Sequence, residues 1–389
     1  RRRPASSSSR CRVKLAGSVA CALAQDLTTL LAARVLQGLG GGGLIALAFT
    51  VIADCIPPRE VGKYQGYISA VYAVSSIAGP LLGGYFTEQL SWRWIFWINL
   101  PLGALALWLV NRNLGHLNVR RHSRFDWKGA GLLITVTTLS LLLLSPEATL
   151  SAIWLAAGLA LALLLLILVE RRAQDPILPA HLARLPGYLV SVLLALASQL
   201  LMFAVLVYLP LQMQWQKGMG ASESGLYMVI FMVCITAGAF VGGKLIGRTG
   251  YYKRFVVVGF ALAALALWQI HFDLFANLGL GFAGLGLGLV LPALSVVVQN
   301  ALPREDRGIG MSLFNFGREL GGAVGVAICA VLFHRALPAG TSHNLASLSP
   351  AELAPGFSAT YVGMALIASA ALLITLLALK RHELASMPA

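Results

Sequence analysis

Apolar runs long enough to cross a lipid bilayer recur along the whole of this 389-residue chain. A spanning helix needs about 20 apolar residues to cross a hydrocarbon core roughly 30 Å thick. We place twelve such runs at 13–32, 34–56, 66–87, 93–111, 127–145, 151–169, 189–212, 224–246, 255–271, 274–300, 309–334 and 359–379. Their length favours helices, so the sequence predicts an all-α integral membrane protein.

The composition excludes two other classes of chain. Hydrophobic residues make up 58% of the sequence and charged residues only 11%, whereas a soluble domain carries roughly 25% charge. A soluble globular enzyme is therefore not expected. A disordered chain is not expected either, because disorder requires low hydrophobicity.

The charges indicate how the chain is oriented. The formal net charge is +14, which in a soluble chain would suggest a nucleic-acid partner. Of the 29 Lys and Arg residues, however, 24 lie in the terminal segments and in alternate loops, and only three lie in the loops between them. Because cytoplasmic loops collect Lys and Arg, this distribution predicts that both termini are cytoplasmic, and it explains the basic charge without nucleic acid.

No pattern in the sequence indicates a cofactor, a metal or an enzyme. The five cysteines are scattered, mostly in apolar runs, and we interpret them as small buried side chains. Neither an HExxH nor a GxSxG motif occurs, and the histidines fall in loops or near the ends of the runs.

Three motifs carry a family resemblance. They are RVLQGLGGGG at 34–43, GPLLGG at 79–84 followed by SWRWIFWINLPLG at 91–103, and RELGGAVG at 318–325. In combination they closely resemble the major facilitator superfamily, specifically the fourteen-helix drug:proton antiporter branch of the EmrB/QacA type. The resemblance covers nearly the whole chain from about residue 13.

The resemblance implies a domain organisation. In that branch two helices and a Gly-x-Leu-x-Asp-Arg-x-Gly loop precede the segment that aligns with 13–32, so the twelve runs resemble the last twelve of fourteen, as in an N-terminally truncated member. The expected parts are an irregular basic N-terminus at 1–12, the remainder of an N-terminal bundle at 13–111, two linker spans with cytoplasmic loops at 112–188, and a C-terminal six-helix bundle at 189–389.

The resemblance also implies a function. Such a protein is expected to export drug-like or toxic small molecules across the cytoplasmic membrane in exchange for protons, by rocking of two bundles about a midplane site. Its partners would be the bilayer, the substrate, protons and a periplasmic adaptor protein. A truncated protein that does not transport, and a metabolite facilitator of the same fold, remain as alternatives.

Three of the charged residues inside predicted spans are the candidates for proton coupling, Arg34 among them because the family resemblance implies it. They are Arg34, Arg318 and Glu319. A charge at the bilayer centre costs at least about 2.5–3.5 kcal/mol, so it tends to have a function, and desolvation makes a carboxyl easier to protonate. The alternatives are that Arg34 extends its side chain to the membrane surface and that Glu319 only locks helix packing.

Glycines and one proline form the expected conformational motif. By resemblance, Gly79, Pro80, Gly83 and Gly84 govern a helix interface that opens and closes, although a purely structural kink is the alternative. Glycines four residues apart also predict close helix packing. These pairs are Gly38/Gly42, Gly79/Gly83, Gly238/Gly242, Gly284/Gly288 and Gly321/Gly325.

Two further sets of residues complete the prediction. By resemblance, a cytoplasmic latch is expected from Asp54, Arg59, Gly243, Arg248 and Gly250. Side chains expected to line a substrate cavity are Gln37, Gln199, Met202 and Tyr208. Ordinary core packing is the alternative for the second set, since Met and aromatic stripes serve it equally well.

Overall fold

All regular secondary structure in the described part of the chain is helical. A computed structural model describes residues 5–55, 71, 74–75, 78–113, 126–145, 151–173, 176–185, 187–272, 276–303, 306–338 and 348–379. The helices are α1 (Ala5–Leu23), α2 (Leu27–Cys55), α3 (78–85, continued by the π-helical turn Phe86–Leu90), α4 (Trp94–Trp97), α5 (Asn99–Asn113), α6 (Trp127–Leu143), α7 (Ala152–Glu170), α8 (Ala180–Ala183), α9 (Tyr188–Trp215), α10 (Ala221–Thr249), α11 (Tyr252–His271), α12 (Ala276–Ala301), α13 (Arg307–Ala336) and α14 (Pro350–Ala378).

Seven helices in the described residues are long and apolar enough to cross a membrane. They are α7 and α9 to α14, and each coincides with a predicted span. Two shorter apolar segments, Trp94–Leu109 and Trp127–Leu143, coincide with two more. Of the predicted span at 66–87, residues 71, 74–75 and 78–87 are described, and all of these are helical.

The first two predicted spans have a different boundary in the structure. The sequence prediction put the break near residue 33, but α1 ends at Leu23 and α2 begins at Leu27. The cause is Asp26, whose carboxylate Oδ1 accepts a hydrogen bond from the Thr29 backbone N–H at 2.6 Å. A side chain that satisfies a free N–H in this way starts a helix.

The chain divides into two compact units. The first contains Arg1–His122 with Gly220–Leu226, and the second contains Ser123–Met219 with Tyr227–Ala389. In the first unit α1 packs against α2, α4 and α5. In the second unit α9 packs against α12, α13 and α14, while α11 packs against α12 and α14. Most of the buried core lies in this second unit.

Close backbone contacts hold the second unit together. A Cβ at Gly259 of α11 would lie 2.6 Å from the Gly286 carbonyl oxygen of α12, and a Cβ at Gly286 would meet the Gly259 carbonyl in return. Small residues permit this approach of two helices.

The predicted close packing is confirmed at three of the glycine pairs. Gly238 and Gly242 of α10 lie against the α12 turn that holds Gly284 and Gly288, and Gly321 and Gly325 of α13 lie against α9. At Gly38, Gly79 and Gly83, in contrast, a Cβ would meet no described atom within 4 Å.

Candidate functional site

A buried polar network joins α1 and α2 in the first unit. The Arg34 guanidinium donates from Nη1 to the Gln37 Oε1 at 2.7 Å. The amide Nε2 of Gln37 donates to the Ser18 Oγ at 2.9 Å, and that hydroxyl donates to the Lys14 carbonyl at 3.0 Å. Ser18 is fully buried and Gln37 is 9% exposed, so the network holds polar groups that apolar surroundings would otherwise penalise.

Two glycines create the space for this network. A Cβ at Gly17 would lie 2.5 Å from the Gln37 Cα, and a Cβ at Gly40 would collide with the Lys14 backbone. The two helices therefore touch backbone to backbone at Gln37 itself and again three residues further along α2, at Gly40. The close approach fixes the amide of Gln37 where it can reach both Ser18 and Arg34.

Arg34 lies about 10 Å along α2 from Leu27, at 1.5 Å per residue. It is therefore further inside its helix than the sequence prediction placed it. Its guanidinium carbon is 5.7 Å from the centre of the Phe96 ring. Within the described residues no carboxylate pairs with it, and its only hydrogen-bond partner there is Gln37. The Arg34 guanidinium is therefore held in place by Gln37, and no anionic side chain among the described residues balances its charge.

Arg318 and Glu319 pair with each other in the second unit. The Arg318 Nη2 donates to the Glu319 Oε1 at 3.0 Å. The Glu319 side chain is 60% exposed and that of Arg318 is 31% exposed. The Arg318 Nε is buried with no hydrogen-bond partner among the described residues. The sequence left this pairing open, because adjacent residues point about 100° apart around a helix.

The proline and glycine motif packs against the first turns of α10, within the first unit. A Cβ at Gly225 would lie 3.1 Å from the Pro80 carbonyl oxygen, and a Cβ at Gly84 would lie 3.0 Å from the Ala221 carbonyl oxygen. Pro80 and Gly84 thus take part in a tight helix contact. Gly79 and Gly83 do not face it.

Sequence reasoning missed Glu88. Its Oε2 accepts a hydrogen bond from the Ser222 backbone N–H at 3.1 Å, at the N-terminus of α10. Pro80, Gly84 and Glu88 are each four residues apart, so they follow one face of the helical segment. The sequence feature that could have pointed to Glu88 is its position, four residues beyond the GPLLGG motif and on the same helix face.

The predicted cytoplasmic latch is only partly visible. Gly243 and Arg248 are exposed on the last turns of α10. Gly250 ends that helix with φ of +73°, a conformation that glycine adopts without strain. The Asp54 side chain and Arg59 lie outside the described residues.

Lys253, in the first turn of α11 just beyond Gly250, binds a different element. Its Nζ donates to the Leu376 carbonyl at 2.9 Å and to the Leu379 carbonyl at 2.5 Å. These carbonyls belong to the C-terminal end of α14, where a cation is favourable.

The residues predicted to line a substrate cavity are buried. Gln199, Met202 and Tyr208 are 4%, 6% and 6% exposed along α9, inside the core of the second unit. The Tyr208 ring centre is 6.1 Å from that of Phe333. The Gln199 Oε1 has no hydrogen-bond partner in the described structure. Gln37 belongs to the network of the first unit.

These features define a multi-pass helical membrane protein with a few charged side chains inside its helices. The chain belongs to the Major Facilitator Superfamily, whose sequence profile matches residues 15–326. It is a family of transporters, which agrees with the expected class. Among the described residues no three His, Cys, Asp or Glu side chains group as metal ligands.

Relatives of known sequence support the assignment. The chain is 34% identical over 334 residues to an uncharacterised MFS-type transporter of Mycobacterium tuberculosis, which covers 82% of this chain and 48% of that protein. It is 32% identical over 332 residues to the multidrug transporter protein MdtP of Bacillus subtilis, covering 82% of this chain and 61% of that protein. The chain therefore spans about half to three fifths of the length of these relatives.

Solved structures confirm the fold. A bacterial homologue of the human lysosomal transporter Spinster superposes with a TM-score of 0.62 at 17% identity, over 98% of this chain and 83% of that chain. A POT family transporter superposes with a TM-score of 0.66 at 14% identity, over 95% of this chain and 79% of that chain.

Proposed function

We propose that this protein is a proton-coupled exporter of drug-like or toxic small molecules in the cytoplasmic membrane. The observation that carries the proposal is the network of Arg34, Gln37 and Ser18. A cation inside a span is expensive in hydrocarbon. Two close backbone contacts between α1 and α2 position Gln37, which in turn binds Arg34. We infer from this arrangement that the Arg34 cation has a role in transport.

In this proposal Arg34 tunes a nearby proton carrier. A guanidinium favours the ionised form of any carboxyl that approaches it, and so promotes release of its proton. Gln37 keeps the guanidinium in place while the carboxyl group of the proton carrier alternates between its protonated and its ionised form. Arg318 and Glu319 would supply a second such pair, because Glu319 already accepts from Arg318.

The opening and closing of the protein would involve the contact between α3 and the first turns of α10. Pro80 and Gly84 form it with Gly225 and Ala221. Both sides of the contact are nearly free of side chains, so the two helices could separate without rearranging rotamers. Alternating access of this kind is typical of the fold.

We further propose that the chain corresponds to the last twelve helices of a fourteen-helix arrangement. Its latch would join Gly243, Arg248 and Gly250 with Asp54 and Arg59 at the cytoplasmic ends, where both termini would also lie. A periplasmic adaptor is a proposed partner from family resemblance alone.

The substrate class is supported by relatives. MdtP is named a multidrug transporter, and a second Bacillus subtilis protein, 30% identical over 325 residues, is named multidrug resistance protein 3. Gln199, Met202 and Tyr208 are proposed substrate contacts. Their support is the free amide oxygen of Gln199, which a ligand could use if the helices around α9 part.

The test is transport in proteoliposomes under an imposed pH gradient. Proteoliposomes that contain the purified chain should accumulate a fluorescent lipophilic cation when the pH gradient is applied. The substitution Arg34→Gln should abolish this response to the gradient. Arg112→Gln is the matched control, because Arg112 lies at the end of α5 against the Trp108 ring. Transport that ignores the gradient would refute proton coupling. An intact, folded protein that moves no cation would favour the inactive alternative.

A further inference from the structure

Two buried serines of α9 break a pattern that the other hydroxyls of the second unit follow. In a helix, a Ser or Thr hydroxyl can bond to the carbonyl four residues earlier. The side chains that do so are Thr135, Thr137, Ser140, Thr236, Ser295, Ser312, Thr360, Ser369 and Thr375. Ser191 and Ser198 are 0% and 1% exposed, yet neither hydroxyl has a hydrogen-bond partner among the described residues. These two hydroxyls are therefore free to bind something other than their own helix.

Gln199, next along α9, points into the interface with α13. It lies three residues beyond Leu196 and four before Phe203, so it shares their side of the helix. A Cβ at Gly321 of α13 would meet the Leu196 backbone, and a Cβ at Gly322 would lie 3.0 Å from the Phe203 ring. The Oε1 of Gln199 is thus a buried acceptor in this interface, and it has no partner in the described structure.

Arg318 contributes an unpartnered donor to the same interface. It lies three residues before Gly321 and four before Gly322, on the side of α13 that faces α9. Its Nε is buried and bonds to no described group. Because Gly321 and Gly325 meet Leu196 and Leu200 in turn, the two helices run parallel. In this register Arg318 is level with residue 193, about 9 Å along the helix axis from Gln199. The donor and the acceptor therefore lie in one interface without bonding to each other.

Water is the partner that suits all of these groups. A buried polar atom without a hydrogen bond costs free energy, and a cation inside a spanning helix costs more. A water molecule can donate to the Gln199 Oε1, accept from the Arg318 Nε–H, and do either with the Ser198 hydroxyl. Buried waters in proteins typically make about three hydrogen bonds to groups of this kind. An alkyl chain would satisfy none of them.

We propose that ordered water molecules occupy the core of the second unit beside Ser198 and Gln199 and bridge to the Arg318 Nε. These waters solvate the Arg318 cation, which lies about 15 Å along α13 from Gly308, at a depth where hydrocarbon could not. Ser191, two turns before Ser198 on the same face of α9, extends the hydrated path towards the start of that helix. The inference goes beyond the proposed function, because hydration of the resting protein does not depend on what the protein exports.

The experiment is hydroxyl-radical footprinting by X-ray radiolysis of the purified protein in nanodiscs. Irradiation converts bound water into radicals in place, and these oxidise a neighbouring methionine to its sulfoxide. Met202 is the reporter, since it lies three residues beyond Gln199 and is only 6% exposed. We expect Met202 to be oxidised several-fold faster than Met228 and Met364, which are 5% and 0% exposed on α10 and α14. Equal rates for the three methionines would overturn the proposal.

Two comparisons test whether the water is bound at this site. A radical scavenger that stays in the bulk solution should protect the partly exposed Met219 and leave the oxidation of Met202 unchanged. If the scavenger protects both, bulk solvent reaches Met202 through an open cavity, and the bound-water site is wrong. Gln199→Leu should slow the oxidation of Met202 several-fold. The matched control is Ser369→Ala, which removes a hydroxyl bonded to the Ala365 carbonyl at 2.8 Å and should leave Met202 oxidation unchanged.

The unfolding temperature of Ser198→Ala provides a measurement that does not use oxidation. A dry hydroxyl without a partner destabilises the fold, so its removal would raise the unfolding temperature. A hydroxyl that binds water contributes a hydrogen bond, so we expect its removal to lower the unfolding temperature. A higher temperature in Ser198→Ala would contradict the bound water. Should Gln199→Leu not fold, this measurement and the comparison of Met202 with Met364 in the unaltered chain still decide.

Discussion

Glu88 closes the N-terminus of α10 by accepting the Ser222 backbone N–H at its Oε2, 134 residues away along the chain. The carboxylate also lies close to Gly220, where a Cβ would be 3.2 Å from its Oε1. The free N–H groups at a helix start carry a partial positive charge, which a carboxylate stabilises. Glu88 therefore fastens the helix that carries the proline and glycine motif to the first turn of α10.

Replacement of Glu88 by alanine should weaken this attachment. We expect a loss of about 0.5–1 kcal/mol, typical of a helix N-cap, measured as a lower thermal unfolding temperature in detergent. Glu88→Gln keeps an oxygen acceptor without the charge and should lose less. An unchanged unfolding temperature in Glu88→Ala would show that the contact contributes nothing.

Gly238→Ala should destabilise the second unit. A Cβ there would collide with the Leu285 carbonyl of α12, and overpacking of this kind typically costs about 1–3 kcal/mol. Gly247→Ala, on the same helix, is the control because a Cβ there meets nothing within 4 Å. It should be neutral or mildly stabilising, since alanine is the better helix former. Chemical denaturation in mixed micelles compares the two, and equal stabilities would contradict the packing argument.

Lys253→Met should loosen the C-terminal end of α14. The methionine keeps the apolar stem of lysine but removes the two hydrogen bonds to the Leu376 and Leu379 carbonyls. We expect faster amide hydrogen exchange in the last turns of α14, with little change elsewhere. The control Lys244→Met, at an exposed position of α10, should leave amide exchange in the last turns of α14 unchanged. If both variants behave alike, Lys253 is not a cap.

Asp26 should make stability depend on acidity. The hydrogen bond from the Thr29 backbone N–H lowers the pKa of Asp26 below its ordinary value. Its stabilising contribution is therefore fully present above the unfolded-state pKa, about 3.9, and is lost as the pH falls through the lower folded-state pKa. Asp26→Ala should unfold at a lower temperature than the parent chain at pH 7. The difference should shrink towards zero near pH 2, and a difference that is constant with pH would contradict the assignment.

The long helices could be predicted from the sequence because apolar runs alone define them. Helices α9 to α14 match their predicted spans to within a few residues in most cases. The break between α1 and α2 was misplaced because the apolar pattern continues on both sides of Gln25 and Asp26. Only the capping contact of Asp26 reveals where one helix stops and the next begins.

The polar contacts were less predictable than the residues that make them. Arg34 and Gln37 were singled out, but Ser18 was not, because no periodicity connects positions 19 residues apart on different helices. The contact between Glu88 and Ser222 was missed for the same reason, because the two residues lie on different helices and far apart in the sequence. Such partners are set by helix crossing points, which depend on where glycines on separate helices meet.

The glycine contacts also divide the second unit mechanically. Helices α10, α12 and α11 touch backbone to backbone, and so do α9 and α13. The two groups meet where α9 packs against α12, and α14 packs against α11 on one side and against α9 and α13 on the other. Side-chain interfaces can slide by small shear movements, whereas interlocked backbones move as one piece. We therefore expect that an internal rearrangement of this unit would move α10, α11 and α12 together, and α9 and α13 together, with sliding where α9 packs against α12.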